Sequence, residues 1–113
     1  MKKEGTGVIE YKGKNFVCFM DLGMELIKGK WKAVILCHLN DGPKRFLELQ
    51  RITKGISQKV LNQKLKELEE DGLITKTIYP QVPPRVEFQM TPLAEELYPA
   101  LDIIQQWSLK NFK

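Results

Sequence analysis

The chain is poor in the residues that build most catalytic and metal sites. Its 113 residues include one histidine, His38, and two cysteines, Cys18 and Cys37. No cysteine, aspartate or second histidine stands at ligand spacing from His38, so we expect no metal and assign this histidine a structural role near a helix end. Paired catalytic carboxylates, a glycine-rich phosphate loop and a Ser–His or Cys–His arrangement are also lacking. These absences argue against an enzyme, and we expect no cofactor.

Long apolar segments are missing as well. The longest wholly apolar run, AVILC at 33–37, is far shorter than the roughly 20 residues of a transmembrane helix. The first seven residues are charged and contain glycine, and no apolar signal-peptide core follows them. Two cysteines without an export signal are typical of a reducing compartment. We therefore expect a cytoplasmic protein without a membrane partner.

The chain is rich in charged residues and has enough apolar residues to form the core of one domain. Hydrophobic residues make up 42% of the chain and charged residues 28%. The formal net charge of +4 and the pI of about 9.1 permit a polyanionic partner without requiring one. The position of the cations is therefore more informative than their total.

Hydrophobic periodicity predicts a mainly α chain with a small β-hairpin, an α+β arrangement. Residues 1–17 form either an N-terminal arm or a short hairpin, and 18–113 form a single domain. The predicted order is helix, helix, helix, turn, helix, strand, loop, strand, helix, over segments 19–28, 30–41, 44–52, 57–71, 73–79, 85–90 and 92 onward. Pro99 is expected to kink or divide the last helix.

Two short helices around a tight turn at 53–55 are typical of a helix-turn-helix, and Ser57 can cap the second. A β-hairpin follows at once, which makes the unit a winged helix. The loop of this hairpin, YPQVPPR at 79–85, holds three of the six prolines. We expect a stiff wing tip whose Arg85 reaches a minor groove or a phosphate.

The fourth helix predicts a surface that contacts bases. At 100° per residue, Leu61, Leu65 and Leu68 face the core. The opposite side and the N-terminal end carry polar side chains: Gln58, Lys59, Asn62, Gln63 and Lys66. Asparagine and glutamine pair with adenine, and lysine donates to guanine or phosphate. An ordinary solvated face is the alternative.

Charge segregation favours the groove-binding interpretation. Segment 58–66 contains no acid, whereas four acids crowd 67–71, where they oppose the helix dipole. Segment 44–66 carries seven cations and one anion, Glu48, as DNA binding requires. The predicted DNA contacts are Arg45, Ser57, Gln58, Lys59, Asn62, Gln63, Lys66 and Arg85.

Several of these motifs resemble the HxlR-type transcriptional regulators, bacterial winged helix-turn-helix proteins related to the MarR group. The resemblance covers roughly 18–107 and rests on matches in order and spacing: Gly29-Lys30-Trp31, Arg45-Phe46, Ile56-Ser57-Gln58-Lys59, Val82-Pro83-Pro84-Arg85-Val86, and Leu101 with Trp107. It implies a homodimer on a palindromic DNA operator, joined through the N- and C-terminal helices.

An apolar stripe that continues to the last turn also allows a dimer, although the last helix could instead close the monomer core. The expected dimer contacts are Phe19, Met20, Met24, Leu97, Leu101, Ile104 and Trp107. A winged-helix module that binds proteins and not DNA is the alternative function. The basic segment argues against it, and titration with promoter DNA would separate the two.

Cys18 is the candidate for sensing. Many HxlR-type proteins place a cysteine here, and in several it responds to an oxidant or a small electrophile. A helix N-terminus favours the reactive thiolate form. The chain departs from the family pattern at Phe19, often a proline, and at Met20, a lysine in some members. An inert thiol is the alternative for Cys18, Cys37 is expected in the core, and a disulfide between them is left open.

Overall fold

A computed structural model of the chain describes residues 8–113, so the part of the predicted arm at 1–7 lies outside the described residues. Within 8–113 the elements are β1 Ile9–Tyr11, β2 Lys14–Phe16, α1 Phe19–Leu26, α2 Lys32–His38, α3 Phe46–Ile52, α4 Gln58–Glu70, β3 Ile74–Tyr79, β4 Arg85–Met90 and α5 Pro92–Phe112. The predicted α+β winged helix-turn-helix is confirmed. No helix of this described part is both long and apolar enough to cross a bilayer.

Residues 9–16 form a hairpin and not a frayed arm. Strands β1 and β2 pair antiparallel, with Ile9 opposite Phe16, and both of these side chains are buried. The turn residues Lys12 and Gly13 have φ values of 50° and 79°. Positive φ at both central positions is the geometry that suits a two-residue hairpin turn.

The core forms where α2, α3, α4, the second hairpin and α5 meet. Leu61 and Leu68 are fully buried and Leu65 nearly so, as the periodicity of α4 predicts. The Ser57 hydroxyl accepts a hydrogen bond from the Val60 amide at 3.1 Å and caps the helix. The cap and the leucine stripe thus fix where α4 begins and which side it buries.

The wing contains a third backbone segment that periodicity did not predict. Strands β3 and β4 pair antiparallel from Ile74–Met90 to Tyr79–Arg85. Lys44 then exchanges two backbone hydrogen bonds with Phe88, at 2.9 and 2.8 Å. Since its backbone belongs to this bridge, α3 starts at Phe46 and not at Lys44 as predicted. The bridge ties the wing to the start of the helix-turn-helix.

Of the two outcomes predicted for Pro99, a kink or a division of the last helix, division is wrong, because α5 is one helix from Pro92 to Phe112. Thr91 caps it by accepting from the Ala94 amide at 3.3 Å. Pro99 is exposed, so the carbonyl that its missing amide leaves free can be hydrated. Ala94 and Leu101, buried on either side of Pro99, hold both halves against the core.

Candidate nucleic-acid interface

The outer side of α4 forms a polar surface that we name the groove face: Gln58, Lys59, Asn62, Gln63 and Lys66. All five side chains are exposed. Within residues 8–113, neither Lys59 nor Lys66 forms an ion pair, whereas the neighbouring Lys64 pairs with Glu67 at 3.4 Å. The groove face therefore offers amide groups flanked by cations whose charge no protein carboxylate neutralises.

Cations of the helix-turn-helix extend this charge beyond α4. Arg45, Arg51 and Lys54 are exposed, and none makes an ion pair in the described part of the chain. Arg45 precedes α3, and its amide donates to the Glu48 carboxylate at 3.3 Å. Lys44 is different, because its ammonium group pairs with Asp41. Most of the predicted basic segment is thus available to a polyanion.

Arg85 was predicted to act from the wing tip, but it is the first residue of β4, where it pairs with Tyr79. Its guanidinium stacks 4.0 Å from the centroid of the Tyr79 ring and lies 3.7 Å from Glu87. The Nε atom is buried without a hydrogen-bond partner. Val82, fully exposed, occupies the wing tip. To bind a phosphate, Arg85 would have to leave this stacked position or use its outer nitrogens.

A cleft of about 400 Å³ between α4 and the wing brings the two predicted DNA-binding elements to one side of the molecule. Asn62 and Lys66 line it from α4, and Lys76 lines it from β3. Sequence reasoning missed Lys76. The alternation of side chains along β3 could have identified it, because Lys76 lies on the same face of the strand as Ile74. In the structure Lys76 pairs with Phe88.

Two of the four acids at the C-terminal end of α4, Glu67 and Asp71, are contact points within the protein. Glu67 accepts from the buried Lys32 and from Lys64, both at 3.4 Å. Burial alone would raise the pKa of Glu67, but the hydrogen bonds from Lys64 and Lys32 lower it on balance. Asp71 accepts from Tyr11 at 3.0 Å and from Lys12 at 3.3 Å. These contacts offset the unfavourable position of Glu67 and Asp71 on the helix dipole.

An apolar face lies along α1 and α5, and we define it by Phe19, Met20, Met24, Ile104 and Trp107. All five are exposed, Met20 at 71% and Trp107 at 59%. A cleft of about 440 Å³ between α1, α2 and α5 borders it, lined in part by Met24 and Ile104.

Two further predicted dimer residues sit deeper. Leu97 is half-buried against the core. Leu101 is only 4% exposed and belongs to the core of its own chain, and it also lines the cleft beside the apolar face, so its role as a dimer contact stays a prediction. The apolar stripe of α5 is wide enough to serve the core on one side and to stay uncovered on the other, and the helical angle of Leu101 places it on the core side.

The two cysteines have different surroundings, and both are free thiols. Cys18 is exposed at the N-cap of α1. Cys37 is half-buried beside the cleft, where Gln105 donates to its sulfur at 3.4 Å. Burial, followed by the charge of Asp102, raises the pKa of Cys37 and keeps it in the less reactive thiol form.

His38, the last residue of α2, forms a hydrogen bond of 3.0 Å with the buried Thr53 hydroxyl. Burial, followed by the charge of Lys44, lowers the pKa of His38 despite an opposing effect of Asp41. The neutral ring therefore joins α2 to the end of α3. Among residues 8–113, no group of three or more histidine, cysteine or acidic residues could hold a metal ion.

Residues 26–113 match the HxlR-like helix-turn-helix family, and the chain belongs to that family. An uncharacterized HTH-type transcriptional regulator of Bacillus subtilis, YkvN, is 48% identical over 94 residues, which cover 83% of this chain and 80% of YkvN. The protein is a DNA-binding transcriptional regulator of this family.

Solved structures agree with that assignment. The redox regulator HypR in its oxidized form has a TM-score of 0.81 and 38% identity, over 85% of this chain and 99% of HypR. A MarR-family regulator from Porphyromonas gingivalis has a TM-score of 0.80 and 38% identity, over 92% of this chain and 98% of its own.

Proposed function

We propose that the protein is a homodimeric, non-enzymatic regulator of the cytoplasm that binds a palindromic operator. The observation that carries this proposal is the cleft that Asn62 and Lys66 of the groove face share with Lys76 of the wing. A duplex that meets this side encounters α4 and the wing together. Helix α4 enters the major groove by its N-terminal half, and the wing follows the adjacent backbone.

The residues of this surface divide by chemistry. Asn62 and Gln63 carry amides suited to adenine edges and are the base-contacting pair. Lys59, Lys66 and Arg45 bind phosphates together with Lys76 and, at the wing, Arg85. Ser57 and Gln58 present the N-terminal end of α4, where free amides and the helix dipole favour an anion.

The apolar face is the proposed contact with a second copy. Its five apolar side chains are exposed on two helices, and two of them, Met24 and Ile104, line one open cleft. Such a surface is costly to leave in water. A two-fold axis through this face would present two α4 helices to successive major grooves, which matches a palindromic site. A protein-binding winged helix would leave the unpaired cations of the groove face unexplained.

Cys18 is the proposed sensor within this assembly. Its thiol is exposed, starts α1 and lies next to Phe19 and Met20 of the apolar face. The similar protein HypR is a redox regulator. An oxidant or a small electrophile that modifies Cys18 would add bulk or charge at the dimer contact and so change operator binding.

Substitution of Gln63 by alanine tests base contact. Duplexes are first selected from a random library with the wild-type protein, and affinity is then measured by fluorescence anisotropy. Gln63→Ala should lose about 1–3 kcal/mol on the selected duplex and nothing on random duplex. Gln106→Ala, an exposed glutamine of α5, is the matched control. Equal losses on both duplexes would exclude base contact, and failure of the wild type to enrich any duplex would contradict the proposed function.

A further inference from the structure

The N-terminal hairpin holds the end of α4 that lies farthest from the groove face. The Tyr11 hydroxyl donates to Asp71 Oδ1 at 3.0 Å across 60 residues of sequence. Lys12 Nζ donates to the Glu70 carbonyl at 2.7 Å and to Asp71 Oδ1 at 3.3 Å. Both side chains thus donate to the Asp71 carboxylate, and Lys12 also donates to a terminal carbonyl of the helix.

These contacts suit the chemistry of a helix C-terminus. The last carbonyls of a helix lack partners within the helix, and a cation near them is favourable to the dipole. The Asp71 side chain is 15% exposed, so its carboxylate depends on its protein partners. Burial, followed by the hydrogen bond to Asp71, raises the pKa of Tyr11, and its hydroxyl stays a donor at neutral pH.

The tight hairpin turn positions Lys12 next to the end of α4. The Lys12 φ of 50° is a left-handed conformation that residues other than glycine adopt at a cost. A longer, relaxed loop would avoid that cost. The tight turn instead places Lys12 beside the last turn of α4, and this placement is what its contacts with Glu70 and Asp71 require.

The same hairpin is also attached to α1. Lys14 pairs with Glu25 at 3.2 Å. The Val17 amide, one residue before Cys18, donates to Asp21 at 3.0 Å. The hairpin therefore links the helix that carries the apolar face to the C-terminal end of α4.

We propose that Tyr11 and Lys12 are positioning residues for operator recognition, which set the direction of α4 without touching DNA. This inference rests on the proposed function. The thirteen residues of α4 span about 20 Å, so a tilt of about 3° at Asp71 moves the opposite end by about 1 Å. Hydrogen bonds to base edges weaken over such a displacement, whereas contacts with phosphates adapt to it.

The test compares two duplexes for each variant: the duplex selected by the wild type and a random duplex of equal length. Tyr11→Phe combined with Lys12→Met should weaken binding to the selected duplex about three- to tenfold. Binding to random duplex should not change, nor should the dependence of affinity on salt. Lys12→Arg should keep most of the selectivity, and Lys110→Met, an exposed lysine of α5, should keep all of it.

A double-mutant cycle guards against general unfolding. Asp71→Asn weakens the same contacts from the helix side, so Tyr11→Phe should have little further effect in that background. Additive losses in the cycle would overturn the proposal, as would equal losses on both duplexes. A salt slope reduced by about one would show that Lys12 itself binds a phosphate, and that result would also overturn it.

The outcomes separate the two hypotheses. A wild-type protein that selects duplexes, with hairpin variants of unchanged selectivity, overturns the inference and leaves the proposed function standing. A wild-type protein that prefers no duplex overturns both.

Discussion

Replacement of Trp107 by alanine tests the proposed dimer most directly. Trp107 lies near the C-terminal end of α5, and 59% of its surface is exposed. Its ring meets Phe112 edge to face, with 5.3 Å between centroids. In the single chain, this aromatic pair therefore remains largely exposed to solvent.

The structure sets the size of the expected effect. An aromatic residue buries about 150–250 Å² when it is covered, so the uncovered part of Trp107 is on the order of 100 Å². At about 25 cal/mol per Å², covering it contributes on the order of 2–3 kcal/mol per copy. A symmetric interface loses this twice, although the alanine methyl and imperfect packing recover part of it. We expect the dimer dissociation constant to rise about 100- to 1,000-fold.

Sedimentation equilibrium over a wide concentration range measures this change. Leu47→Ala is the matched control, because Leu47 is 71% exposed on α3 and outside the apolar face. Trp107→Ala should also weaken operator binding at concentrations where the wild type is dimeric. Dimerisation equal to that of the wild type, or a wild-type protein that stays monomeric throughout, would refute the reasoning.

Two further predictions concern the sensor and the wing. Diamide should release the wild type and Cys37→Ser from the selected duplex and should spare Cys18→Ser, because Cys18 is the exposed thiol; if all three respond alike, Cys18 is not the switch. Arg85→Ala should reduce the slope of log affinity against log salt by about one if the guanidinium leaves Tyr79 to bind a phosphate. An unchanged slope would restrict Arg85 to its contacts within the wing.

The elements of the helix-turn-helix could be predicted from neighbouring residues in the chain. The leucines of α4 recur at helical spacing, and Ser57 and Thr91 stand where caps are needed. These signals act over a few residues, and the structure preserves them because tertiary packing agrees with them. The exposed side of α4 follows at once from its buried side.

Local signals were insufficient where a residue meets partners that are distant in the sequence. Lys44 fits the helical pattern of the sequence, but its backbone forms a β-bridge with Phe88 of the wing. Pro99 is a helix breaker by itself, but core contacts on both sides hold α5 together. Leu101 shares the stripe of Ile104, and only the packing of α5 shows that it is buried.

Sequence alone determined the order of the elements, the polar side of α4 and the basic segment around it, because periodicity, caps and charge are properties of adjacent residues. Tertiary structure decided that Asn62 and Lys66 share one cleft with Lys76, that Arg85 stacks on Tyr79, and that the hairpin holds the end of α4. Contacts such as Tyr11–Asp71 join residues 60 positions apart, and no local pattern encodes which of many exposed polar groups will meet.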